Sequence, residues 1–202
     1  MTVTPATPTG QRFRSGSGRL CLDFMRTLRL RGTAAAIEEL DTPQALGAWV
    51  AQLGPYPDDQ AVPVPTPAVL RQAQQVREAV HTLLAAARSD SGPAGCPADA
   101  RAVLNRAAAA PPPVPVLDAH GTLIYTAADP VGAVLAAVAR DALDLATSPA
   151  LERVRACSGP NCAAWFLDIS RPGNRRWCSM DTCGNQAKKS TWRTKQASAA
   201  RS

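Results

Sequence analysis

Apolar residues in the first three quarters of the chain recur every three or four positions, which is the spacing of helices that bury one face. Three of these segments begin with Thr or Asp followed by Pro. This pair indicates a helix start, because the side-chain oxygen of Thr or Asp caps the first turn and proline suits the first helical position. The pattern predicts helices that begin at Pro43, Pro67 and Pro130, and a shorter helix over 97–110. It also predicts a first helix, ending at Gly32, whose apolar stripe is Leu20, Phe24, Leu28 and Leu30.

The apolar pattern changes to a β period directly after Pro111–Pro113. Two apolar arms flank turn residues that include Asp118 and Gly121, an arrangement typical of a β-hairpin. The arms consist of Val114, Val116 and Leu117 on one side and Leu123, Ile124 and Tyr125 on the other. A further short strand is predicted over 151–155. These elements predict an α+β fold class, with a mainly α-helical N-terminal domain that contains a β-hairpin.

The chain divides into three parts. Residues 1–17 are rich in Thr, Pro, Gly and Ser, and we predict a disordered arm there. Residues 18–150 carry the helical pattern and are expected to form one mainly helical domain, whereas residues 151–202 contain four of the six cysteines. With 39 alanines and only 4% aromatic residues, the core of the helical domain is expected to consist mostly of Leu, Val and Ala.

The composition also bears on the compartment. No stretch approaches the ~20 consecutive apolar residues that a membrane helix needs, and the N-terminus lacks the apolar region of a secretory signal. We therefore expect a cytoplasmic location without membrane contact. In a reducing cytoplasm, six cysteines indicate metal binding or redox chemistry before structural disulfides.

Charge is distributed unevenly along the chain. Residues 1–31 carry six arginines and one acidic residue, residues 32–150 carry six arginines and twelve acidic residues, and residues 151–202 carry ten basic and three acidic residues. An acidic body with a basic C-terminal part favours contact with a polyanion, most often nucleic acid. A solvated cationic surface without a specific partner would have the same composition, so this alternative stays open.

The C-terminal part contains two pairs of cysteines, each with four intervening residues, and fifteen residues separate the pairs. The four residues are Cys157, Cys162, Cys178 and Cys183. Tetrahedral Zn²⁺ binds thiolates arranged in such pairs, and the metal replaces the core that a segment of about forty residues cannot build. We therefore predict one structural Zn²⁺ per chain with these four ligands. Two disulfides are the alternative; a catalytic zinc would need an open position, which four thiolates do not leave.

The residues between the cysteine pairs predict a small hairpin. Trp165–Asp168 has a strand pattern, Ser170–Asn174 is typical of a turn, and Arg175–Cys178 is predicted to return along the first strand. Ser179 is a suitable N-cap for a helix over about 180–196. This order of cysteine knuckle, hairpin, second cysteine pair and helix is that of a small treble-clef-like zinc finger.

This segment resembles the CGNR zinc finger, a family named after the motif that starts at its last cysteine. The resemblance rests on the four cysteines and on Trp165–Asp168, Ser170–Arg171, Arg175–Met180 and Cys183–Asn185. Such fingers usually follow an ABATE domain, a stress-responsive regulatory domain, and Leu22–Leu28 is similar to its LDFVNT-type opening. The resemblance implies a regulatory domain followed by a zinc finger. Gln186 and Arg26 stand where the family motifs have Arg and Asn.

The last predicted helix and the residues before it carry side chains suited to nucleic acid. Basic groups neutralise phosphates, and Asn, Gln or Arg can hydrogen-bond base edges in the major groove. The candidate nucleic-acid-binding residues are Arg175, Arg176, Asn185, Gln186, Lys188, Lys189, Arg193 and Lys195. Alternatively, the two arginines offset the net −2 charge of a zinc tetrathiolate, and the helix presents only a solvated face. Trp165 and Trp177 are expected to pack over the zinc, whereas Trp192 contacts either the helical domain or nucleic acid.

We interpret the chain as a bacterial, DNA-binding transcription regulator whose helical domain responds to stress or to a small-molecule or protein ligand. Two alternatives remain: a protein–protein adaptor, because treble clefs also bind proteins, and an enzyme with its active site in the helical domain. The sequence shows no P-loop, dinucleotide glycine motif or nucleophile elbow. His81 and His120 lie far in sequence from any catalytic partner, so we expect no catalysis.

Overall fold

The structure, a computed structural model, describes residues 13–57, 59–159 and 162–189, together with Trp192 and Gln196. In the described part, the helices before the cysteines are α1 (Leu20–Met25), α2 (Pro43–Leu53), α3 (Pro67–Ala87), α4 (Ala98–Ala109) and α5 (Pro130–Thr147). The antiparallel strand pairs are β1 (Leu28–Arg29) with β2 (Ile37–Glu38), β3 (Val114–Leu117) with β4 (Leu123–Thr126), and β5 (Val154–Ala156) with β6 (Trp165–Leu167). The predicted fold class, a mainly α domain with a hairpin followed by a small cysteine module, is confirmed.

Three helices begin at the predicted residues for the predicted reason. The side-chain oxygens of Thr42, Thr66 and Asp129 each accept the backbone N–H of the residue three positions later, at 3.2, 3.3 and 3.0 Å. In each case proline follows in the first helical position, where its missing N–H costs no hydrogen bond. Local sequence therefore determines where α2, α3 and α5 begin.

The core lies between the long helices. α3, α4 and α5 pack against one another, and α1 lies against α3 and α5. Phe24 of α1 meets Trp49 of α2 edge-on, with ring centroids 4.8 Å apart, and both rings are fully buried. The N-terminal end of α1 is held by Arg19, whose Nε lies 2.6 Å from a carboxylate oxygen of Asp141 on α5. Among the described residues, no helix is long and apolar enough to cross a lipid bilayer.

The first helix is shorter than the apolar stripe predicts. α1 ends at Met25, and the hydroxyl of Thr27 donates to the carbonyl oxygen of Phe24 at 2.7 Å. The next residues form β1 instead, because β2 is held beside them by a distant residue: the buried guanidinium of Arg77 on α3 binds both carboxylate oxygens of Glu38 at 2.6 Å. The prediction of a helix to Gly32 is wrong because this long-range ion pair favours the strand.

The segment just before α1 is packed against the domain. Phe13 is 3% exposed, and the side-chain amide of Gln52 binds both its N–H and its carbonyl oxygen at 2.8 Å. The carboxylate of Asp23 accepts the backbone N–H groups of Gly16 and Ser17. Residues 13–17 of the predicted disordered arm are therefore held by hydrogen bonds, and the remainder of that arm lies outside the described residues.

The predicted hairpin forms with β3 opposite β4, from Val114 opposite Thr126 to Leu117 opposite Leu123. Its turn is held by the Asp118 carboxylate, which accepts two backbone N–H groups at 2.9 and 2.7 Å. The strand predicted over 151–155 starts later, at β5, because a 3₁₀ turn occupies Pro149–Arg153. β5 leads directly into the cysteine module.

Candidate metal centre and nucleic-acid interface

Four cysteines converge at the end of the chain. The Sγ atoms of Cys157, Cys162, Cys178 and Cys183 all lie within 4.8 Å of one another, and all four residues are buried and free of disulfides. The Sγ of Cys178 lies 3.6 Å from that of Cys162 and 3.7 Å from that of Cys183. Four thiolates bound tetrahedrally to Zn²⁺ at ~2.3 Å would have sulfurs ~3.8 Å apart. A disulfide needs ~2.0 Å, so the spacing fits a metal and not a covalent bond.

Backbone groups converge on the same sulfurs. The N–H groups of Gly159 and Cys178 both donate to the Sγ of Cys157, at 3.4 Å. A Cβ atom added at Gly159 would lie 3.1 and 3.2 Å from the Cβ and Sγ of Cys183. Position 159 therefore leaves little room for a side chain.

The pKa values of the cysteine thiols indicate that four thiolates can exist together only beside a cation. The hydrogen bond from Cys178 lowers the pKa of Cys162 to about 4, so one thiolate forms readily. Burial, followed by the interaction with the Cys162 thiolate, raises the pKa of Cys183 to about 11, and the pKa of Cys178 is raised as well. Like charges this close cannot all exist without a compensating positive charge. The donor set therefore fits Zn²⁺, which stabilises four thiolates at once.

The spacer between the cysteine pairs folds differently from the predicted hairpin. β6 pairs with β5, with Val154 opposite Leu167 and Ala156 opposite Trp165, and not with residues 175–178. The returning segment is instead held by the Asp168 side chain. Its carboxylate accepts the N–H groups of Ser170 at 3.0 Å and Arg175 at 2.8 Å, and the Ser170 hydroxyl at 2.6 Å.

These hydrogen bonds, with that of Ser170 the largest cause, lower the pKa of Asp168 to about 2. A carboxylate with this many donors serves as the anchor of a loop, which explains why the second strand of the predicted hairpin does not form. The backbone of Ser158 also donates to the carbonyl oxygen of Arg176 at 2.8 Å, which ties the returning segment to the first knuckle.

The last cysteine lies at the start of a helix, as predicted. Ser179 is the N-cap, and its hydroxyl oxygen accepts the N–H of Thr182 at 3.3 Å. A π-helical turn spans Met180–Gly184, and α-helical residues 185–189 follow it. The position of this basic helix is therefore fixed by the cap and by Cys183 within its first turn.

The module packs on the helical domain. The guanidinium of Arg26 lies 3.8 Å from the Sγ of Cys178 and also donates to the Ser17 hydroxyl at 2.9 Å. The N–H of Leu167 donates to the carbonyl oxygen of Ser17 at 2.7 Å. Neither Arg26 nor Ser17 could be found from the cysteine pattern, because both lie far away in sequence and carry no metal-ligand chemistry.

The two tryptophans of the spacer have different neighbours. Trp177 packs against the cysteine cluster, as expected. Trp165 packs on α3 instead: its ring lies 5.4 Å from that of His81, and the guanidinium of Arg88 lies 4.6 Å from its centroid. The expectation that Trp165 covers the zinc site is wrong because β6 presents this side chain to the helical domain.

The predicted nucleic-acid-binding residues fall into three groups. Arg175 is half-buried and donates to the carbonyl oxygen of Cys178 at 2.8 Å, so it holds the loop around the cysteines. Arg176 is exposed, with its guanidinium 5.3 Å from the Trp177 ring. The exposed helix residues are Asn185, Gln186, Lys188 and Lys189, whereas Arg193 and Lys195 lie outside the described residues.

Further exposed arginines lie on the same module. Arg153, Arg155 and Arg171 are exposed, and Arg153 also donates to the carbonyl oxygen of Ser170. The excess of basic over acidic residues in 151–202 is the sequence feature that could have indicated these arginines. Trp192 is 63% exposed, so most of its side chain is open to solvent.

A helical domain followed by a buried four-cysteine cluster and a capped basic helix defines a two-part zinc-finger protein. Residues 18–149 match the family model for ABATE, described as "Putative stress-induced transcription regulator", and residues 153–196 match that of the CGNR zinc finger. The chain belongs to the ABATE family and carries a CGNR zinc finger at its C-terminal end. Comparison with curated proteins gives no significant match.

Proposed function

We propose that the protein is a DNA-binding transcription regulator of the bacterial cytoplasm, in which residues 18–150 respond to a ligand and residues 151–202 bind DNA. In this proposal Cys157, Cys162, Cys178 and Cys183 hold one structural Zn²⁺. The observation that carries the proposal is the exposed basic helix, which has the last of these cysteines in its first turn. A helix held at one end by a metal centre is a rigid element that can enter a groove.

The positions of the side chains support two kinds of contact. Gln186 and Lys189 are three residues apart and share one side of the helix, whereas Asn185, Lys188 and Trp192 share the neighbouring side at spacings of three and four. Lysines are suited to phosphates, and the amides of Asn or Gln pair bidentately with adenine. An exposed Trp192 could stack on a base or contact the sugar backbone. Arg176 adds an exposed charge beside the cysteine cluster.

The test is the salt dependence of binding to duplex DNA by the zinc-loaded, full-length protein. We expect affinity to fall steeply between 50 and 200 mM salt, because each neutralised phosphate releases about one counterion. Replacing Lys188 and Lys189 with Ala should weaken binding to all sequences and flatten the slope of log affinity against log salt by about one to two units.

The matched control removes two exposed arginines from α4, Arg101 and Arg106, and so changes the net charge equally. This control should leave the salt slope unchanged if the basic helix forms the interface. Equal effects of the two double variants would show that binding follows net charge alone. Absence of binding to genomic fragments at 50 mM salt would overturn the DNA-binding proposal.

A protein–protein adaptor is the second candidate, and one observation favours it. Ile169, Met180 and Trp192 are large apolar side chains of the module that are 70%, 48% and 63% exposed. Side chains of this kind would mark a protein contact if they formed one continuous patch. The adaptor function would lead if the lysine variants bound DNA like the wild-type protein. We do not propose an enzyme, since the matching families are described as a regulator and a zinc finger.

A further inference from the structure

A small pocket opens where the helical domain meets the cysteine module. Its volume is about 40 Å³. The wall from the helical domain is formed by Arg14, by residues of the segment 25–31 and by His81 of α3. The wall from the cysteine module is formed by the knuckle 162–164 and Trp165. A single water molecule needs roughly 10–15 Å³ of free volume in a cavity, so the pocket has room for a group the size of phosphate or carboxylate.

The described lining of this pocket is strongly cationic. Four arginines contribute to it, and the described lining includes no Asp or Glu: the arginines are Arg14, Arg26, Arg29 and Arg31. Their carboxylate neighbours belong to residues outside the described lining, with Asp23 3.7 Å from Arg26, Glu39 3.5 Å from Arg29, and Glu78 paired with Arg31. An anion in the pocket would therefore meet guanidinium groups directly.

Two of these arginines have unused hydrogen-bonding capacity. The Nε atoms of Arg26 and Arg29 are buried and have no hydrogen-bond partner among the described residues. Arg26 as a whole is only 8% exposed. A buried N–H of a charged group without an acceptor is costly, so both guanidinium groups favour an additional negative group nearby.

The backbone around the pocket is also unusual. Leu30 and Ala163 both have a φ of +50°, and they are the non-glycine residues with positive φ in the described part of the chain. Both line this pocket, one from each wall. Backbone strain of this kind concentrates at ligand sites, where the surrounding structure maintains it.

The zinc centre does not oppose an anion here as strongly as its formal charge suggests. A zinc tetrathiolate carries a net charge of −2. Arg26 itself donates towards the Sγ of Cys178, and Arg175 donates to the carbonyl oxygen of the same cysteine. Arg176 adds a further positive charge beside Trp177. Positive groups therefore surround the cysteine cluster on the module as well as on the domain.

We propose that this pocket is the ligand site of the protein and that its ligand is a small free oxyanion, or a small molecule that presents a phosphate or carboxylate group. Arg14, Arg26 and Arg29 bind the anion, and the knuckle 162–164 closes the site from the module. A ligand bound here contacts both parts of the protein, so it stabilises their packing. This proposal names the ligand class that the proposed function leaves open, but it does not require DNA binding.

The test is calorimetric titration of the zinc-loaded, full-length protein with inorganic phosphate at constant ionic strength. Sulfate and acetate serve as further probes, and chloride is the reference anion. We expect saturable phosphate binding by the wild-type protein and a Kd roughly tenfold higher in Arg29→Gln and in Arg14→Gln, because each variant loses a charge-assisted hydrogen bond. Arg101→Gln, an exposed arginine on α4, is the matched control and should bind like the wild-type protein.

Zinc content and thermal unfolding of each variant verify that it is folded. The proposal is overturned if phosphate binds no better than chloride, or if both pocket variants bind phosphate like the control. A phosphate of DNA has the same chemistry as a free anion, so DNA affinity is measured separately in phosphate-free buffer. If Arg29→Gln binds DNA as tightly as the wild-type protein, the ligand of the pocket is a free anion. If its DNA affinity falls by the same factor as its phosphate affinity, the pocket binds a phosphate of DNA and the proposal of a free anion is overturned. DNA binding can fail without affecting the phosphate result, so the two proposals fail independently.

Discussion

The guanidinium of Arg26, directly after α1, donates towards the Sγ of Cys178 at 3.8 Å, although 152 positions separate the two residues. The same side chain donates to the Ser17 hydroxyl and lies near the Asp23 carboxylate. A positive charge next to a thiolate stabilises its charged, metal-binding form. The helical domain therefore contributes directly to the environment of the zinc site.

Replacing Arg26 with Gln should weaken zinc binding without removing a ligand. The variant loses the positive charge beside Cys178, and we expect zinc to transfer to a chelating dye roughly 10–100-fold faster. The free energy of unfolding should fall by about 2–4 kcal/mol, because a buried charged hydrogen-bond network is broken. Arg101→Gln is the control; equal zinc release from the two variants would show that the Arg26 contact has no influence on the metal.

Removal of the metal tests the ligand assignment. Wild-type protein should contain one zinc per chain, and Cys178→Ser should contain far less, whereas Cys96→Ser, in the helical domain, should keep its zinc. We expect the metal-free protein to retain most of its helical circular dichroism, because α2 to α5 form their own core. The packing of Trp165 on α3 should be lost with the module, which changes tryptophan emission. Because Trp177 also packs against the cysteines, the change should be smaller in Trp165→Phe than in the wild-type protein, but not absent. A full zinc content in Cys178→Ser would contradict the assignment.

Stability should depend on pH through His81. Burial, followed by the charge of Arg31, lowers the pKa of His81 below its usual value of 6.5. The unfolded chain therefore binds more protons than the folded protein just below pH 6.5, and stability is lost as the pH falls through this range. His81→Phe keeps a ring beside Trp165 but removes the titration. Its Tm should fall less than that of the wild-type protein between pH 7 and 5; parallel pH profiles would refute the prediction.

Sequence preference should depend on Gln186. Its exposed amide lies on the first turn after the metal centre and can pair with adenine if the helix enters a major groove. Gln186→Ala should cost roughly 1–3 kcal/mol on the preferred site and little on random DNA. Gln186→Arg, which restores the residue of the family motif, should shift the preference towards guanine. Unchanged preference in both variants would indicate that this side of the helix faces protein or solvent.

Many elements of the fold could be predicted because their causes are local. The helix starts at Thr42, Thr66 and Asp129 depend on a side chain and an N–H group three residues apart. The hairpin turn depends on Asp118 and the next four residues. The cysteine cluster follows from two short spacings. Each pair supplies two ligands to a metal ion, so a tetrahedral site needs both pairs.

Strand pairing, the position of Trp165 and the cationic pocket depend on contacts between residues that are distant in sequence. β6 could pair with either neighbour by its own strand pattern; Asp168 captures the returning segment by hydrogen bonds, so β6 pairs with β5. Packing against α3 places Trp165 beside His81 and away from the cysteines. The cationic pocket needs residues from both ends of the chain, so no window of the sequence contains it. Residue types and short spacings determine caps, turns and ligands, whereas neighbours distant in sequence are chosen by which surfaces are buried together.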